Sequence, residues 1–275
     1  MNHPHCTKSS ATYLLVASLF SASCAADAGN YYLGIFGGGG GSTSSSVEQV
    51  GTAFYSPPKP VDAFGSSLPS STAAMAGAHA GFEWNELTLG NQDSGWGLKP
   101  AVEVEGFYLG GSQAGSLLSP NTPGVSNHTF RVNLPGSNGV FVANAVFGLK
   151  TPLSDSILPY VGAGVGGATM NINNASSEQL NPPEPGLNHY NSNPNASSSA
   201  LAVTAKAGLR GEIAEHLSLF AEYRYVYLGS TDYTFGSTIG AGSACCPNHV
   251  PTTNWNVSSG AQNYSLGVAG IEYRF

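Results

Sequence analysis

The sequence predicts an all-β fold, a closed antiparallel transmembrane β-barrel of about eight strands with four long extracellular loops. Three observations lead to this prediction. Only 9% of the 275 residues are charged, against roughly a quarter in an ordinary soluble domain. About eight segments alternate apolar and polar residues with the period of a strand. Long polar connections, which are residues 38–72, 110–138, 171–198 and 229–261, alternate with shorter ones.

The last segment of the chain shows the strand period most clearly. One face of residues 264–275 is uncharged and ends in Tyr273 and Phe275, whereas the other face ends in Glu272 and Arg274. A strand that crosses a membrane needs an apolar face toward lipid and a polar face toward the lumen. The same alternation occurs in seven further segments, 31–37, 75–84, 101–109, 139–149, 159–168, 201–210 and 217–227.

The small number of charged residues argues against two other classes of protein. A soluble β-sandwich or lipocalin-like barrel would need more charged residues to cover its water-facing exterior. With nine Lys and Arg residues and a net charge of -7, the chain lacks the basic surface on which nucleic-acid binding depends. An even number of strands places both ends of the chain on the periplasmic side and the four long loops outside.

The N-terminus predicts export. Residues 1–28 are expected to be a cleaved signal peptide, and residues 29–275 form the predicted barrel domain. The apolar core, residues 13–20, is shorter than the roughly 20 residues of a membrane-spanning helix. Small residues follow it and end in Ala-Asp-Ala at 26–28, which is a cleavage pattern. An earlier cut and lipid attachment at Cys24 are the alternatives.

Three motifs, in this order and spacing, resemble the small bacterial outer-membrane β-barrel family, which includes opacity-type proteins and the transmembrane domain of OmpA. They are YYLGIFGG at 31–38, LPYVGAGVG at 158–166 and GIEYRF at 270–275. The resemblance extends over nearly all of the predicted barrel domain. It implies that the protein lies in the bacterial outer membrane and is surrounded by its lipid.

The resemblance also implies an assembly signal at the end of the chain. Phe275 is preceded by Tyr273 and Ile271 at alternating positions. In the family, such a terminal pattern is bound by the barrel-assembly machinery, which is therefore an expected partner.

Charged residues on the predicted inner faces form the first candidate site. They are Glu83, Glu103, Glu105, Lys206, Arg210, Glu222, Arg224, Glu272 and Arg274. An eight-stranded barrel has an interior that side chains fill, and buried charges must be paired. We therefore predict a salt-bridge network that fills the lumen. The alternative is a narrow charge-lined pore, because the inward glycines Gly34, Gly81, Gly208 and Gly270 leave room for water.

Catalytic, cofactor and metal sites are not expected. His79 is predicted to face the lumen, and no serine shares a strand face with a histidine, as an activated nucleophile would need. The glycine run at 37–41 lacks the Gly-Lys-Ser/Thr ending of a phosphate loop and is interpreted as flexible backbone leading into the first loop. Cys245 and Cys246 lie near His249, but adjacent cysteine side chains diverge, so a vicinal or intermolecular disulfide is expected instead.

The loops direct the hypotheses about function. They contain isolated aromatic residues, such as Phe54, Tyr55, Phe130, Tyr190, Tyr233, Phe235 and Trp255. Flexible polar sequence with aromatic anchors is a composition that binding loops use. The favoured hypothesis is a surface protein whose barrel anchors loops for adhesion or for contact with host or envelope ligands. A small nonspecific pore is the alternative, and a lipid-modifying outer-membrane enzyme is less favoured.

Overall fold

The computed structural model describes residues 29–67, 70–91, 94–119, 127–154, 156–240 and 249–275. The predicted signal peptide lies outside these ranges. The described strands are β1 (Gly29–Ser42), β2 (Ser46–Ala53), β3 (Lys59–Ser67), β4 (Ser70–Trp84), β5 (Leu87–Thr88), β6 (Gly97–Ser119), β7 (His128–Lys150), β8 (Ile157–Ile172), β9 (Ser176–Asn181), β10 (Ala196–Ala214), β11 (Leu217–Leu228), β12 (Thr231–Ser237), β13 (Asn254–Ser259) and β14 (Gln262–Arg274). Within the described ranges, no helix is long and apolar enough to cross a membrane.

Eight antiparallel strands form a ring. Its order is β1-β4-β6-β7-β8-β10-β11-β14, and β14 pairs with β1 to close it. Each of these strands has a hydrogen-bonded neighbour on both sides, so the ring presents no open edge to lipid, where an unpaired backbone group would be costly. The predicted eight-stranded barrel is confirmed, and each predicted segment lies in one strand of the ring.

The faces of the strands follow the predicted alternation. On β1, Leu33 and Ile35 are exposed on the outside, whereas Tyr32, which directly precedes Leu33, is 1% exposed. On β7, the outward face is apolar from Phe141 to Leu149. This length matches the roughly 9–11 residues of a tilted membrane strand. The outward face of β7 therefore marks the lipid-contacting band of the barrel.

The ring strands continue far above the lipid-contacting band. On β7, the outward residues Arg131 and Asn133 lie beyond Phe141, and β6 pairs with this upper part of β7 as far as Ser119. Five further strands extend the same sheet in the order β12-β13-β2-β3-β6-β7-β9. We call this upper layer the extracellular sheet, defined by β2, β3, β9, β12, β13 and the upper halves of β6 and β7.

The extracellular sheet is closed by a short connecting segment. The backbone N–H of His189 donates to the carbonyl of Ser177 on β9, at 2.8 Å. On the other side, the N–H of Gly236 on β12 donates to the carbonyl of Asn193, also at 2.8 Å. Residues 189–193 therefore bridge the two outer strands of the sheet and complete a second ring above the barrel.

The expectation of flexible polar loops is corrected by these strands. The segments 38–72, 110–138, 171–198 and 229–261 contain β-structure over much of their described length. Their Ser, Asn and Gly content obscured a real period of two. On β13, for example, Trp255 and Val257 are buried, whereas Asn254 and Asn256 are exposed.

The interpretation of the glycine run at 37–41 as flexible backbone is also wrong. It belongs to β1 and is paired on both sides, with β14 and with β4. A Cβ atom on Gly38 would lie 2.2 Å from the carbonyl oxygen of Gly267, and one on Gly40 would lie 2.0 Å from that of Ser265. The run therefore allows a close approach between β1 and β14.

The inward glycines do not leave room for water. Each faces a bulky side chain of a neighbouring strand: Gly34 faces His79, Gly81 faces Tyr32, Gly208 faces Tyr160 and Gly270 faces Phe220. The space left by each missing side chain is therefore occupied by a ring. The expectation that these glycines open a water-filled pore is therefore wrong.

We expect Gly81→Ala to destabilise the barrel by about 1–3 kcal/mol, because an added methyl group would overpack a filled interior. The new Cβ atom would lie 2.2 Å from the Tyr32 ring. Gly139→Ala is the matched control, since nothing lies within 4 Å of its Cβ position. The free energy of unfolding in urea, measured in lipid vesicles, compares the two variants. Equal values would contradict the filled lumen.

Candidate functional site

The structure places all nine predicted lumen charges inside the barrel. Eight are buried, and Arg274 has a side chain that is 20% exposed at the periplasmic end. They are held by five different strands, β4, β6, β10, β11 and β14. Their carboxylates and cations are arranged in two layers.

The deeper layer is centred on two cations. The Lys206 ammonium contacts the carboxylates of both Glu103 and Glu105, the latter at 2.7 Å. The Arg224 guanidinium donates two hydrogen bonds to Glu105, at 2.9 and 3.0 Å, and one to Glu222 at 2.7 Å. Because β11 and β6 are four positions apart in a ring of eight, the pair of Arg224 and Glu105 crosses the full width of the lumen.

The second layer lies nearer the periplasm. Arg210 reaches Glu83 at 3.0 Å and Glu272 at 2.9 Å. Arg274 contacts the same two carboxylates at 3.2 and 3.3 Å. β10 and β4 also occupy opposite positions in the ring, so Arg210 and Glu83 form a second connection across the lumen. Lys99 lies 3.8 Å from Glu83 at the rim.

Neutral side chains complete the network. The hydroxyl of Tyr160 donates to Glu222 at 2.6 Å, and that of Tyr32 donates to Glu103 at 3.1 Å. The Asn144 amide donates to Glu103 at 3.4 Å. These bonds satisfy carboxylate oxygens that the cations leave available, as a buried charged cluster requires. The arrangement ties opposite walls of the barrel together and obstructs the passage between them.

We expect Arg224→Ala to destabilise the barrel by about 3–5 kcal/mol, because Glu105 and Glu222 would lose a buried cationic partner. Arg131→Ala is the matched control, since Arg131 is exposed on the extracellular part of β7. The measurement is the free energy of unfolding in urea. A loss for Arg224→Ala no larger than that for the control would mean that the cross-lumen pair contributes little.

The extracellular sheet has a hydrophobic core of its own. Five of the seven aromatic residues predicted as isolated loop anchors are buried in it: Phe130, Tyr190, Tyr233, Phe235 and Trp255. The rings of Tyr190 and Phe235 stack with centroids 4.5 Å apart. Only Phe54 and Tyr55 of the seven remain exposed. The expectation of aromatic anchors on flexible loops is therefore wrong for five residues, because these side chains hold the sheet together.

A buried glutamine links three parts of this core. The Gln49 Oε1 atom on β2 accepts hydrogen bonds from Ser177 on β9, at 2.8 Å, and from Tyr190, at 2.5 Å. Burial raises the pKa of Tyr190 well above its usual range. Its hydroxyl therefore stays protonated and remains a hydrogen-bond donor.

Three titratable side chains meet at the edge of the extracellular core. The Glu184 Oε2 atom lies 3.3 Å from Nε2 of His189 and 3.4 Å from Nε2 of His249. Burial alone would raise the pKa of Glu184, but the two imidazoles outweigh this effect and lower it to about 2. The sequence analysis did not find this cluster, since its histidines are 60 positions apart and no spacing motif connects them.

The remaining predicted site residues lie elsewhere. Tyr273 and Phe275 are exposed on the outer surface at the periplasmic end of the barrel, with ring centroids 5.1 Å apart. Ile271 lies on the same face of β14. Recognition of these three residues by the barrel-assembly machinery remains a prediction. Cys245 and Cys246, and the disulfide proposed for them, lie outside the described residues.

The chain is similar to several solved structures. Neisserial surface protein A has 13% identity, covers 89% of this chain and 97% of its own, and gives a TM-score of 0.31. The outer membrane protease OmpT from Escherichia coli has 8% identity, covers 90% of this chain and 97% of its own, and gives a TM-score of 0.38. The outer membrane protein OprG from Pseudomonas aeruginosa has 13% identity, covers 90% of this chain and 96% of its own, and gives a TM-score of 0.35. No curated protein sequence matches the chain.

The family is shown by a match over most of the sequence. The model of the outer membrane protein beta-barrel domain matches residues 12–261. This range includes the whole extracellular sheet and every strand of the ring except β14. The protein therefore belongs to the outer membrane β-barrel domain family and is a protein of the bacterial outer membrane.

Proposed function

We propose that this protein is a surface-recognition protein. Its barrel is an anchor, and its extracellular sheet contacts host cells or neighbouring components of the envelope. The observation that carries the proposal is the folded state of the extracellular half, which has its own sheet and its own buried aromatic core. A structure built only to cross the membrane would not need this second layer.

A folded extracellular sheet favours recognition over simple solvation of the surface. Association is weakened by the entropy lost when flexible loops become ordered. Here the strands are already held by backbone pairing and by the contacts of Gln49, Tyr190 and Trp255. A partner would therefore bind a preformed surface.

The outer face of the extracellular sheet offers a small apolar surface. Phe64 on β3 and Leu118 on β6 are register partners, and their side chains are 53% and 50% exposed. Val50 on β2 lies on the same face, and the exposed Phe54 and Tyr55 follow β2. We call these five residues the apolar face. Aromatic and aliphatic side chains of this kind form the centres of protein interfaces.

The charge distribution narrows the class of partner. The chain has nine Lys and Arg residues in total, and five of them, among them Arg210 and Arg224, are engaged by carboxylates in or near the lumen. Too few remain outside to attract a polyanion by electrostatic steering. The apolar face instead suits a protein partner.

The lumen argues against conduction as the main role. Two ion-pair connections cross it, and rings fill the spaces beside the inward glycines. A solute would have to separate buried charge pairs in order to pass, which is costly. A pore is therefore the second candidate function, after surface recognition.

We expect the double variant Phe64→Asn and Leu118→Asn to lose adhesion while the fold is kept, because both side chains face water. The assay uses bacteria that display the protein and counts cells bound to epithelial monolayers. Leu153→Asn is the matched control, since Leu153 is an exposed apolar residue in the turn between β7 and β8, at the opposite end of the barrel. The difference between boiled and unboiled protein in gel mobility checks the fold.

Two outcomes would contradict the proposal. If cells that display the wild-type protein bind no better than cells without it, the protein does not recognise a host surface. Stepwise ion conductance of the wild-type protein in planar bilayers would show that the lumen is open and would favour the pore.

A further inference from the structure

We propose that Glu184, His189 and His249 form a binding site for a divalent transition-metal ion, with Zn²⁺ as the best match, at the edge of the extracellular core. One carboxylate oxygen and two imidazole nitrogens converge there, all within 4.8 Å of one another. Imidazole and carboxylate are the ligands that zinc takes in proteins, whereas Mg²⁺ and Ca²⁺ prefer oxygen alone.

The distances between the ligand atoms fit such an ion. Zinc binds imidazole nitrogen and carboxylate oxygen at about 2.0–2.2 Å, which places the ligands of a tetrahedral ion roughly 3.3–3.6 Å apart. The Oε2 atom of Glu184 lies 3.3 Å from Nε2 of His189 and 3.4 Å from Nε2 of His249. Both separations therefore correspond to edges of a zinc tetrahedron.

The hydrogen bonds around His189 prepare its Nε2 atom for a metal. Its Nδ1 atom lies 3.0 Å from the carbonyl oxygen of Ser177. A carbonyl only accepts, so Nδ1 carries the proton and a neutral His189 directs the Nε2 lone pair at Glu184. Metal-binding histidines usually donate their other ring N–H to such a backbone acceptor, which fixes the tautomer and the ring orientation.

Two polar atoms of the cluster have no hydrogen-bond partner. The Oε2 atom of Glu184 and the Nδ1 atom of His249 are buried without a hydrogen-bond partner in the described structure. Buried polar groups without partners are rare and call for an explanation such as an ion. A cation between Glu184 and the two Nε2 atoms would satisfy the carboxylate oxygen.

The surroundings hold the site rigid but leave it accessible. The His189 ring contacts Phe130 and Trp255 edge to face, with centroids 5.2 and 5.9 Å away. Its side chain is 3% exposed, whereas those of Glu184 and His249 are 18% and 12% exposed. An ion can therefore enter from the solvent side, where a water molecule would complete the coordination.

A second cluster in the barrel shows why geometry alone is not sufficient. His79, Glu103 and Glu105 also lie close together in the lumen. There, however, the Lys206 ammonium is bound by both carboxylates. The cation that those carboxylates need is already part of the chain, whereas no Lys or Arg is paired with Glu184 in the described structure.

Binding would connect two distant parts of the extracellular sheet. Glu184 and His189 belong to the connection between β9 and β10, and His249 precedes β13. A ligand that binds only the folded state stabilises it by mass action. The metal would therefore strengthen the closure of the extracellular sheet.

The test is isothermal titration of the purified, chelator-treated protein in detergent micelles with zinc chloride. We expect one Zn²⁺ per chain. Glu184→Gln, which keeps the shape of the side chain, and His249→Ala should each weaken the affinity at least about tenfold, since loss of an outer-shell partner alone costs this much. His216→Ala is the matched control, because His216 lies in the turn before β11. The zinc affinity of this variant should equal that of the wild type.

Three results of the zinc titrations would overturn the proposal. They are the absence of zinc binding, equal affinity of the wild type and Glu184→Gln, and binding that disappears when Cys245 and Cys246 are both changed to Ser. The last result would assign the metal to thiolates rather than to the histidine cluster. Equal heats with magnesium chloride would likewise reduce the signal to nonspecific cation binding and contradict a nitrogen-ligated site.

Discussion

The closed pairing of eight strands is the constraint on which the rest of this structure depends. In lipid, each backbone N–H and carbonyl must find a partner within the protein, and a ring of strands satisfies all of them. A ring of eight encloses a space that side chains must fill. The charges that line it are therefore buried, and buried charges are stable only as pairs. Arg224 with Glu105, and Arg210 with Glu83, meet this requirement across the lumen.

The same pairing explains the extracellular half. Because β6 and β7 continue beyond the lipid-contacting band without interruption, they provide edges on which β3 and β9 are built. Outside the membrane the strands no longer need a wholly apolar outer face, so outward residues such as Arg131 and Asn133 are polar there, and the apolar face covers only part of the surface. Their inward residues still require a core, which Phe130, Tyr190 and Trp255 supply. The barrel thus determines where a folded surface is displayed, and the sheet determines what it displays.

The sequence predicted what depends on local periodicity. The inward or outward direction of Glu222, Arg224 and Glu272 followed from alternation alone, since a strand has a fixed period of two. The pairing of Arg224 with Glu105 did not follow, because it depends on which strands lie opposite each other once the ring closes. The strands of the extracellular sheet were missed because Ser, Asn and Gly dominate them. The approach of His189 to His249 was missed because it arises only from the closure of that sheet.

The central claim is that the barrel continues outside the membrane as a folded sheet rather than as mobile loops. Hydrogen exchange of backbone amides, followed by mass spectrometry on the protein in lipid vesicles, tests it most directly. The account predicts that amides of β2 and β13, which pair with each other, are protected for times comparable to those of β10 and β11 in the barrel. Exchange of β2 and β13 at the rate of an unstructured peptide, with the barrel strands still protected, would contradict it.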